Sequence, residues 1–306
     1  MTSTTGYKIV KLASGVHSVH SFAERETFHP VIGPVAEAEA LYVKQLRLPE
    51  RLAAHTGEFV IWDVGLGAAA NVLTVLRAAR DAFSSPSLDV RCSMFDVRCS
   101  PAPCPLRILS FDHTLEPLQF ALENAAILGY FTGYESAIEN LLRNHHTTFT
   151  DATRQITWEF HLGDFPSLIR NPQSAIRNSH PHSILFDAFS PAKNPAMWTQ
   201  PLFADLFRLL DPARPCALPT YSRSTMLRVS LLLAGFHVGV GHATGEKEET
   251  TIAANTPDLI TEPLDKKWLQ RVRNSTSAEP MWEPVYRQAP LSDATWEKLL
   301  QHLQFR

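Results

Sequence analysis

The chain is short of cysteine, of glycine and of net charge. Its four cysteines, Cys92, Cys99, Cys104 and Cys216, form no C-x-x-C pair. That excludes a disulfide-stapled secreted domain and leaves reduced thiols as the expectation. Lys and Arg number 28 against 31 Asp and Glu, a net charge of −3. No overall cationic field therefore gathers nucleic acid or an anionic membrane, and a nucleic acid partner would need a local basic patch. Long apolar runs are also missing: the best, residues 229–241, falls short of the roughly 20 residues of a membrane span. Met1 to Tyr7 carries neither a basic nor an apolar leader region, so a cytoplasmic protein with no membrane partner is expected. The 13 glycines are outnumbered by 22 prolines, which fall mainly between apolar stretches and imply stiff loops around a compact core. With 44% hydrophobic and 19% charged residues over 306 positions, a disordered chain is excluded and a single elaborated α/β domain is allowed.

What is present is an alternation. Phe59 to Val64 is short, apolar and β-branched, turns at Gly65-Leu-Gly67, and leads into residues 68–82 with Val72, Leu73, Leu76 and Ala79 at helical spacing. Leu106 to Phe111, closed by Asp112, is followed by Leu115, Leu118, Ala121, Leu122 and Ala125 at the same period. Further strands are expected at 156–162, ending in Gly163-Asp164, and at 183–187, 216–221, 236–240 and 250–254, with helices at 202–210 and 224–234. The last two strands stand close enough to pair antiparallel. The pattern predicts an α/β fold, a doubly wound, mainly parallel sheet with one antiparallel strand near the edge. Residues 1–57 read as an N-terminal lead-in, 58–257 as the core domain, and 258–306, with Trp268, Trp282 and Trp296, as a C-terminal appendage packed on it. The insert 84–105, rich in proline, reads as a surface excursion.

Right-handed crossovers put every parallel strand's C-terminal end on one rim, where such sheets bind ligands. The residues there are Asp63 to Ala69, Asp112, Gly163-Asp164 and Asp187. Gly65 and Gly67 allow close backbone approach, although a full G-x-G-x-x-G is absent. Asp112 is placed to accept ribose hydroxyls and Asp164 an adenine amino group. Each acid alone reads equally as a loop residue or N-cap, and it is the ordered set that points to a nucleoside-like ligand. His29, His113, His145 and His146 fall in no ligand spacing with the cysteines, so they read as surface or core residues and no metal site is expected.

The set resembles the class I S-adenosylmethionine-dependent methyltransferases, and within them the methyltransferase part of the bifunctional tRNA 5-methylaminomethyl-2-thiouridine biosynthesis (MnmC) family. The resemblance rests chiefly on Asp187-Ala-Phe-Ser-Pro-Ala-Lys-Asn-Pro-Ala-Met-Trp198, which is similar to the family's D-G-F-x-P-x-K-N-P-x-M-W segment. Asp63-Val-Gly-Leu-Gly67 with Asn71, Thr220-Tyr-Ser-Arg-Ser224, Gly245-x-Lys247-x-Glu249 and the lead-in Phe28-His-Pro-Val-Ile-Gly33 to Glu37 support it, so it spans residues 17 to 255. There are departures. Ala69 and Ala188 stand where the family has Gly, Asp112 stands where it usually has Glu, and the 84–105 insert has no counterpart.

The resemblance implies a Rossmann-like, seven-stranded sheet and S-adenosyl-L-methionine held by Glu37, Asp63, Gly65, Gly67, Asn71, Asp112, Asp164 and Asp187. It assigns Asp187, Phe189, Asn194 and Trp198 to catalysis, and Pro191, Lys193, Tyr221, Ser222 and Arg223 to the acceptor. Phe189, Pro191 and Trp198 read alternatively as a rigid packed loop. It further implies N-methylation of the 5-aminomethyl group of a wobble uridine in tRNA. Two alternatives stay open, methylation of a small amine metabolite and a catalytically silent scaffold, for which Ala69 and Asp112 are the hints. Basic clusters that could meet tRNA are thin: Lys266-Lys267 with Arg271 and Arg273, Arg77 with Arg80, and Arg223 with Arg228. No oxidase half follows, so the flavin-dependent step of the bifunctional proteins is not expected of this chain, and its oligomeric state is not legible.

Overall fold

A computed structural model describes residues 6–84, 103–245 and 247–306. Most of the proline-rich insert, with Cys92 and Cys99, lies outside the described residues.

The central sheet has eight strands, numbered after a small N-terminal sheet of three, β1 (Tyr7–Lys11), β2 (His17–Ser21) and β3 (Glu26–Thr27). They are β4 (Phe59–Val64), β5 (Leu106–Asp112), β6 (His146–Asp151), β7 (Arg154–Leu162), β8 (Ser183–Phe186), β9 (Ala217–Thr220), β10 (His237–Gly241) and β11 (Thr250–Ala254). Their spatial order is β10-β11-β9-β8-β4-β5-β7-β6. Strand β4 lies at the centre, with Trp62 in parallel register with Leu109 on one side and Ile184 on the other. All six of its residues are buried. Its period-two alternation sends Phe59 and Ile61 into one apolar layer and Val60, Trp62 and Val64 into the other. Helices on both faces follow from that double burial. Helix Ala70–Ser84 covers one face through Val72, Leu73, Val75 and Leu76, and helices Gln200–Leu209 and Thr225–Ala234 cover the other.

The mainly parallel, doubly wound sheet is present, but it has eight strands rather than seven and two antiparallel members rather than one. Strand β11 runs antiparallel to both β9 and β10, and β6 antiparallel to β7 at the edge. β6 is the Thr-rich His146-Thr-Thr-Phe-Thr-Asp, whose residues point alternately in and out. It forms because Ala152, with φ 53°, turns the chain into a hairpin with β7. Residues 258–306 place Trp268, Leu269, Val272, Leu299 and Phe305 in the same apolar layer as helix Thr225–Ala234. Gln304 bonds Val238 through both its amide atoms.

Candidate active site

The C-terminal ends of β4, β5, β7 and β8 surround a cavity of about 1010 Å³, roofed by Ser21, Glu26 and Thr27 of the small N-terminal sheet. The lead-in expected from the sequence is thus a wall of the site. Ser190 donates to Glu26 through both its hydroxyl and its N–H, and the Phe28 and Phe189 rings meet edge-on at 5.5 Å.

The turn after β4 approaches the cavity as closely as backbone can. Gly65 has φ +94°, and a Cβ there would lie 2.6 Å from the Asp187 carbonyl oxygen. Its N–H donates to Phe111 O (3.0 Å), and that of Gly67 to Asp112 Oδ2 (3.0 Å). These donors are therefore spent inside the protein, and the turn offers a ligand proximity rather than free N–H groups. Ala69, where a glycine was expected, takes φ 59° and leads into helix Ala70–Ser84. An alanine tolerates that left-handed conformation at a cost of about 1 kcal/mol.

Asp112 closes β5 and also accepts the His113 N–H at Oδ1 (2.7 Å). Asp164, after β7, faces the cavity while its Oδ2 caps helix Phe165–Arg170 through the Ser167 N–H (3.1 Å) and hydroxyl (2.6 Å). It is cap and cavity acid at once.

Asp187 follows β8, with its N–H on Val64 O (2.9 Å). Its Oδ2 accepts from Asn71 Nδ2 (2.7 Å) and lies 3.5 Å from His29 Nε2. His29 Nδ1 in turn meets Glu37 Oε1 at 3.1 Å. Among the described residues Asp187 Oδ1 takes no hydrogen bond. Burial opposes a charge on His29, but Asp187 and Glu37 outweigh it and raise its pKa to about 9. Burial would lift Glu37, yet the His29 hydrogen bond holds it below the usual range. Asp187 is raised, by burial first and by Glu37 in addition, with His29 opposing. The trio is a compact proton-linked cluster, its ligand atoms all within 4.8 Å of one another.

Eleven of the expected site residues line this cavity: Glu37, Gly65, Gly67, Asn71, Asp112, Asp164, Asp187, Phe189, Lys193, Asn194 and Tyr221. Five do not. Asp63, expected at the cofactor, is buried beneath the turn and accepts from Ser110 Oγ (2.7 Å), and burial pushes its pKa up to about 7. Trp198 is fully buried and buttresses the wall, its Nε1–H donating to Phe189 O at 2.7 Å. Pro191 and Ser222 lie off the cavity lining, and exposed Arg223 opens onto a different groove. The residues that sequence reasoning passed over are His29, Phe28, Glu26 and Lys247. The lead-in motif contains Phe28 and His29, and the Gly245-x-Lys247-x-Glu249 motif contains Lys247. Lys247 Nζ donates to Tyr221 O (3.3 Å) and sits 4.6 Å from that ring's centroid.

Comparison with known proteins agrees with this geometry. A family model described as S-adenosyl-L-methionine-dependent methyltransferase matches residues 133–256. The tRNA 5-methylaminomethyl-2-thiouridine biosynthesis bifunctional protein MnmC of Methylibium petroleiphilum is 29% identical over 79% of the chain and 34% of its own length. That of Aeromonas hydrophila is 31% identical over 70% of the chain and 30% of its own length. The chain thus spans about a third of the length of these curated relatives. The crystal structure of MNMC2 from Aquifex aeolicus superposes with a TM-score of 0.66 at 21% identity, covering 98% of this chain and 85% of that one, and so shares the fold.

The residues fit S-adenosyl-L-methionine. Only a glycine fits at position 65, where the turn packs against the Asp187 carbonyl and at the same time lines the cavity. Asp112 and Asp164 stand at the ends of adjacent strands β5 and β7, and the acidic cavity floor offsets a sulfonium's charge. Among the described residues no helix is long and apolar enough to cross a membrane. With that turn and those strand-end acids, the chain carries an S-adenosyl-L-methionine-dependent methyltransferase region matched over residues 133–256, and it is similar to the MnmC proteins over most of its length.

Proposed function

We propose that the protein N-methylates the 5-aminomethyl group of a wobble 2-thiouridine in tRNA, with Asp187 receiving the acceptor's proton. The observation that carries the reading is the open Asp187 Oδ1, held at the cavity by Asn71 and His29 on its other oxygen. The MnmC names of the relatives supply the substrate class. Asp112 and Asp164 would hold the adenosyl part of S-adenosyl-L-methionine and the Gly65–Gly67 turn its methionine end. When bound, that cofactor supplies an electrophilic methyl group on a sulfonium.

Methyl transfer to an amine is an in-line displacement, so most of the catalysis is positioning, with the reacting atoms brought to about 3 Å. Asp187 Oδ1 accepts a hydrogen bond from the amine and takes the proton it must lose. The Phe28–Phe189 pair and Met197 exclude water from that corner. Lys193 and Asn194, whose N–H groups both close on Ser190 O, present polar ends to the nucleobase or its phosphate. Outside the cavity, Arg223, Lys267 and Arg271 are exposed and form no ion pair among the described residues, which leaves them open to phosphates beside Glu249, Glu262 and Asp265.

The test is transfer of labelled methyl groups to bulk tRNA, followed by nucleoside analysis. Label in the 5-methylaminomethyl nucleoside supports the reading, and unlabelled tRNA beside labelled small amines overturns it. Asp187→Ala is expected to bind S-adenosylhomocysteine normally in calorimetry while losing transfer, and near-normal turnover would refute its role.

A further inference from the structure

The cluster behind Asp187 is more elaborate than a lone proton acceptor requires. His29 reaches it from the loop after β3 with φ 47°, a left-handed conformation unfavourable for a residue other than glycine. That conformation sets the imidazole between two carboxylates on different elements. Glu37 lies on helix Pro34–Ala38, and Asp187 at the end of β8. Asn71 donates to the same Asp187 oxygen that His29 faces, so that oxygen is saturated, while Oδ1 of this cavity-lining side chain takes no hydrogen bond among the described residues.

The remaining charged and titratable groups around it are few. Lys247 comes from the β10–β11 loop and is anchored on Tyr221, and Glu26 comes from β3 and is bound to Ser190. The Tyr42 and Tyr221 hydroxyls point at the carbonyls of Phe186 and Ala188, and Asp63 lies beneath the turn.

We infer that His29 is a positioning residue: as an imidazolium bridging Glu37 and Asp187 it keeps Asp187 ionised with Oδ1 presented to the cavity, so the site admits its acceptor as an alkylammonium ion. The proton then passes from the ammonium nitrogen to Oδ1, leaving a neutral amine with its lone pair free and a neutral Asp187 acid. His29 stays charged throughout. This rests on the amine-methylating reading above. The electrostatics bear on the same arrangement: burial opposes the imidazolium, but the two carboxylates hold its pKa at about 9, and the His29 charge works against the burial that raises Asp187.

Two measurements test it. In the protein saturated with S-adenosylhomocysteine, NMR titration of the His29 ring, assigned through His29→Gln, should give a pKa near 9 in the wild type. That value should fall toward 6.5 in Asp187→Asn and in Glu37→Gln. A wild-type His29 that titrates near 6.5, or one that Asp187→Asn leaves unmoved, overturns the inference. In methylation of tRNA, His29→Gln should keep the cofactor's Kd and shift the acidic limb of kcat/KM up by about one pH unit. That costs about tenfold on the limb and is recovered at higher pH. Lost activity with an unshifted limb would mean a merely structural role. A wild type that leaves tRNA unlabelled sinks the tRNA assignment alone, because the ring titration needs no acceptor and still decides the role of His29.

Discussion

The sharpest consequence of the geometry concerns Gly65. An added Cβ would lie 2.6 Å from Asp187 O and 3.0 Å from its carbonyl carbon. Neither side can retreat, because the Gly65 N–H is held by Phe111 O at 3.0 Å and the Asp187 N–H by Val64 O at 2.9 Å. Gly65→Ala therefore combines an unfavourable φ, roughly 1–2 kcal/mol, with overpacking against backbone, roughly 1–3 kcal/mol, for a loss of about 2–5 kcal/mol. The strain falls on the peptide that carries Asp187, so cofactor affinity and transfer should drop along with stability. Gly67→Ala is the control. Its Cβ would meet Phe28 Cε2 at 3.2 Å, a ring that can give, and its φ of +50° is close to that adopted by Ala69. It should cost about 1 kcal/mol. Denaturant unfolding and calorimetry with S-adenosylhomocysteine measure both variants. If Gly65→Ala unfolds within about 0.5 kcal/mol of wild type, the close-approach argument is wrong.

Three further expectations follow from other parts of the site and its support. Trp198→Phe removes the donor to Phe189 O, so stability should fall by about 1–3 kcal/mol. Acceptor KM should rise while the cofactor's Kd holds, and an unchanged acceptor KM would make Trp198 packing alone. His182 accepts the Val60 N–H at Nδ1 (2.9 Å) and stacks on Phe59, and burial, with His55, Arg214 and Arg51 nearby, lowers its pKa to about 3. The unfolded chain takes up that proton below about 6.5 and the folded one does not. This contribution is therefore complete above pH 6.5 and drains away as pH falls toward 3. Urea midpoints should decline between pH 7 and 5, with a shallower slope in His182→Asn, and parallel slopes would refute the assignment. Arg223 and Arg271 share a groove of about 460 Å³ with Arg228, Glu249, Glu262 and Asp265. If that face meets tRNA phosphates, Arg223→Glu with Arg271→Glu should raise tRNA KM and flatten its salt dependence by about one unit of slope per lost contact. An unaltered slope removes the groove from the interface.

What the sequence made legible was what local pattern determines. Strands β4, β5 and β8 are buried between two helical layers and read as short apolar runs, and half-buried β7 reads as a period-two alternation, each closed by Gly or Asp. Those closing residues are the rim. β6 was hidden because it is an edge strand of threonines, held by hairpin backbone pairing rather than by apolar content. Membership of a motif also does not say which way a residue points. Asp63 shares the face of Phe59 and Ile61 along β4 and meets Ser110 of β5, and Trp198 turns inward on the short helix Pro195–Trp198 to fill the core. His29 carries no signal in the sequence because nothing near it matches a ligand spacing. Its partner Asp187 arrives from the other end of the fold.

The shortage of glycine bears on whether this site still works. Ala69 and Asp112, the two departures that hinted at a silent scaffold, each retain the geometry their positions require. Ala69 takes a left-handed φ of 59° and delivers the chain into helix Ala70–Ser84, while Gly65, where a Cβ would strike the Asp187 carbonyl oxygen at 2.6 Å, keeps its glycine. Asp112, with a shorter side chain than Glu, still reaches the Gly67 N–H at 3.0 Å and lines the cavity. A fold relieved of catalysis has no reason to hold His29 in an unfavourable backbone conformation against two buried carboxylates. Left-handed φ also occurs at Arg47, His145 and Ala152, away from the cavity, and what sets His29 apart is the pair of carboxylates that its conformation places around the imidazole.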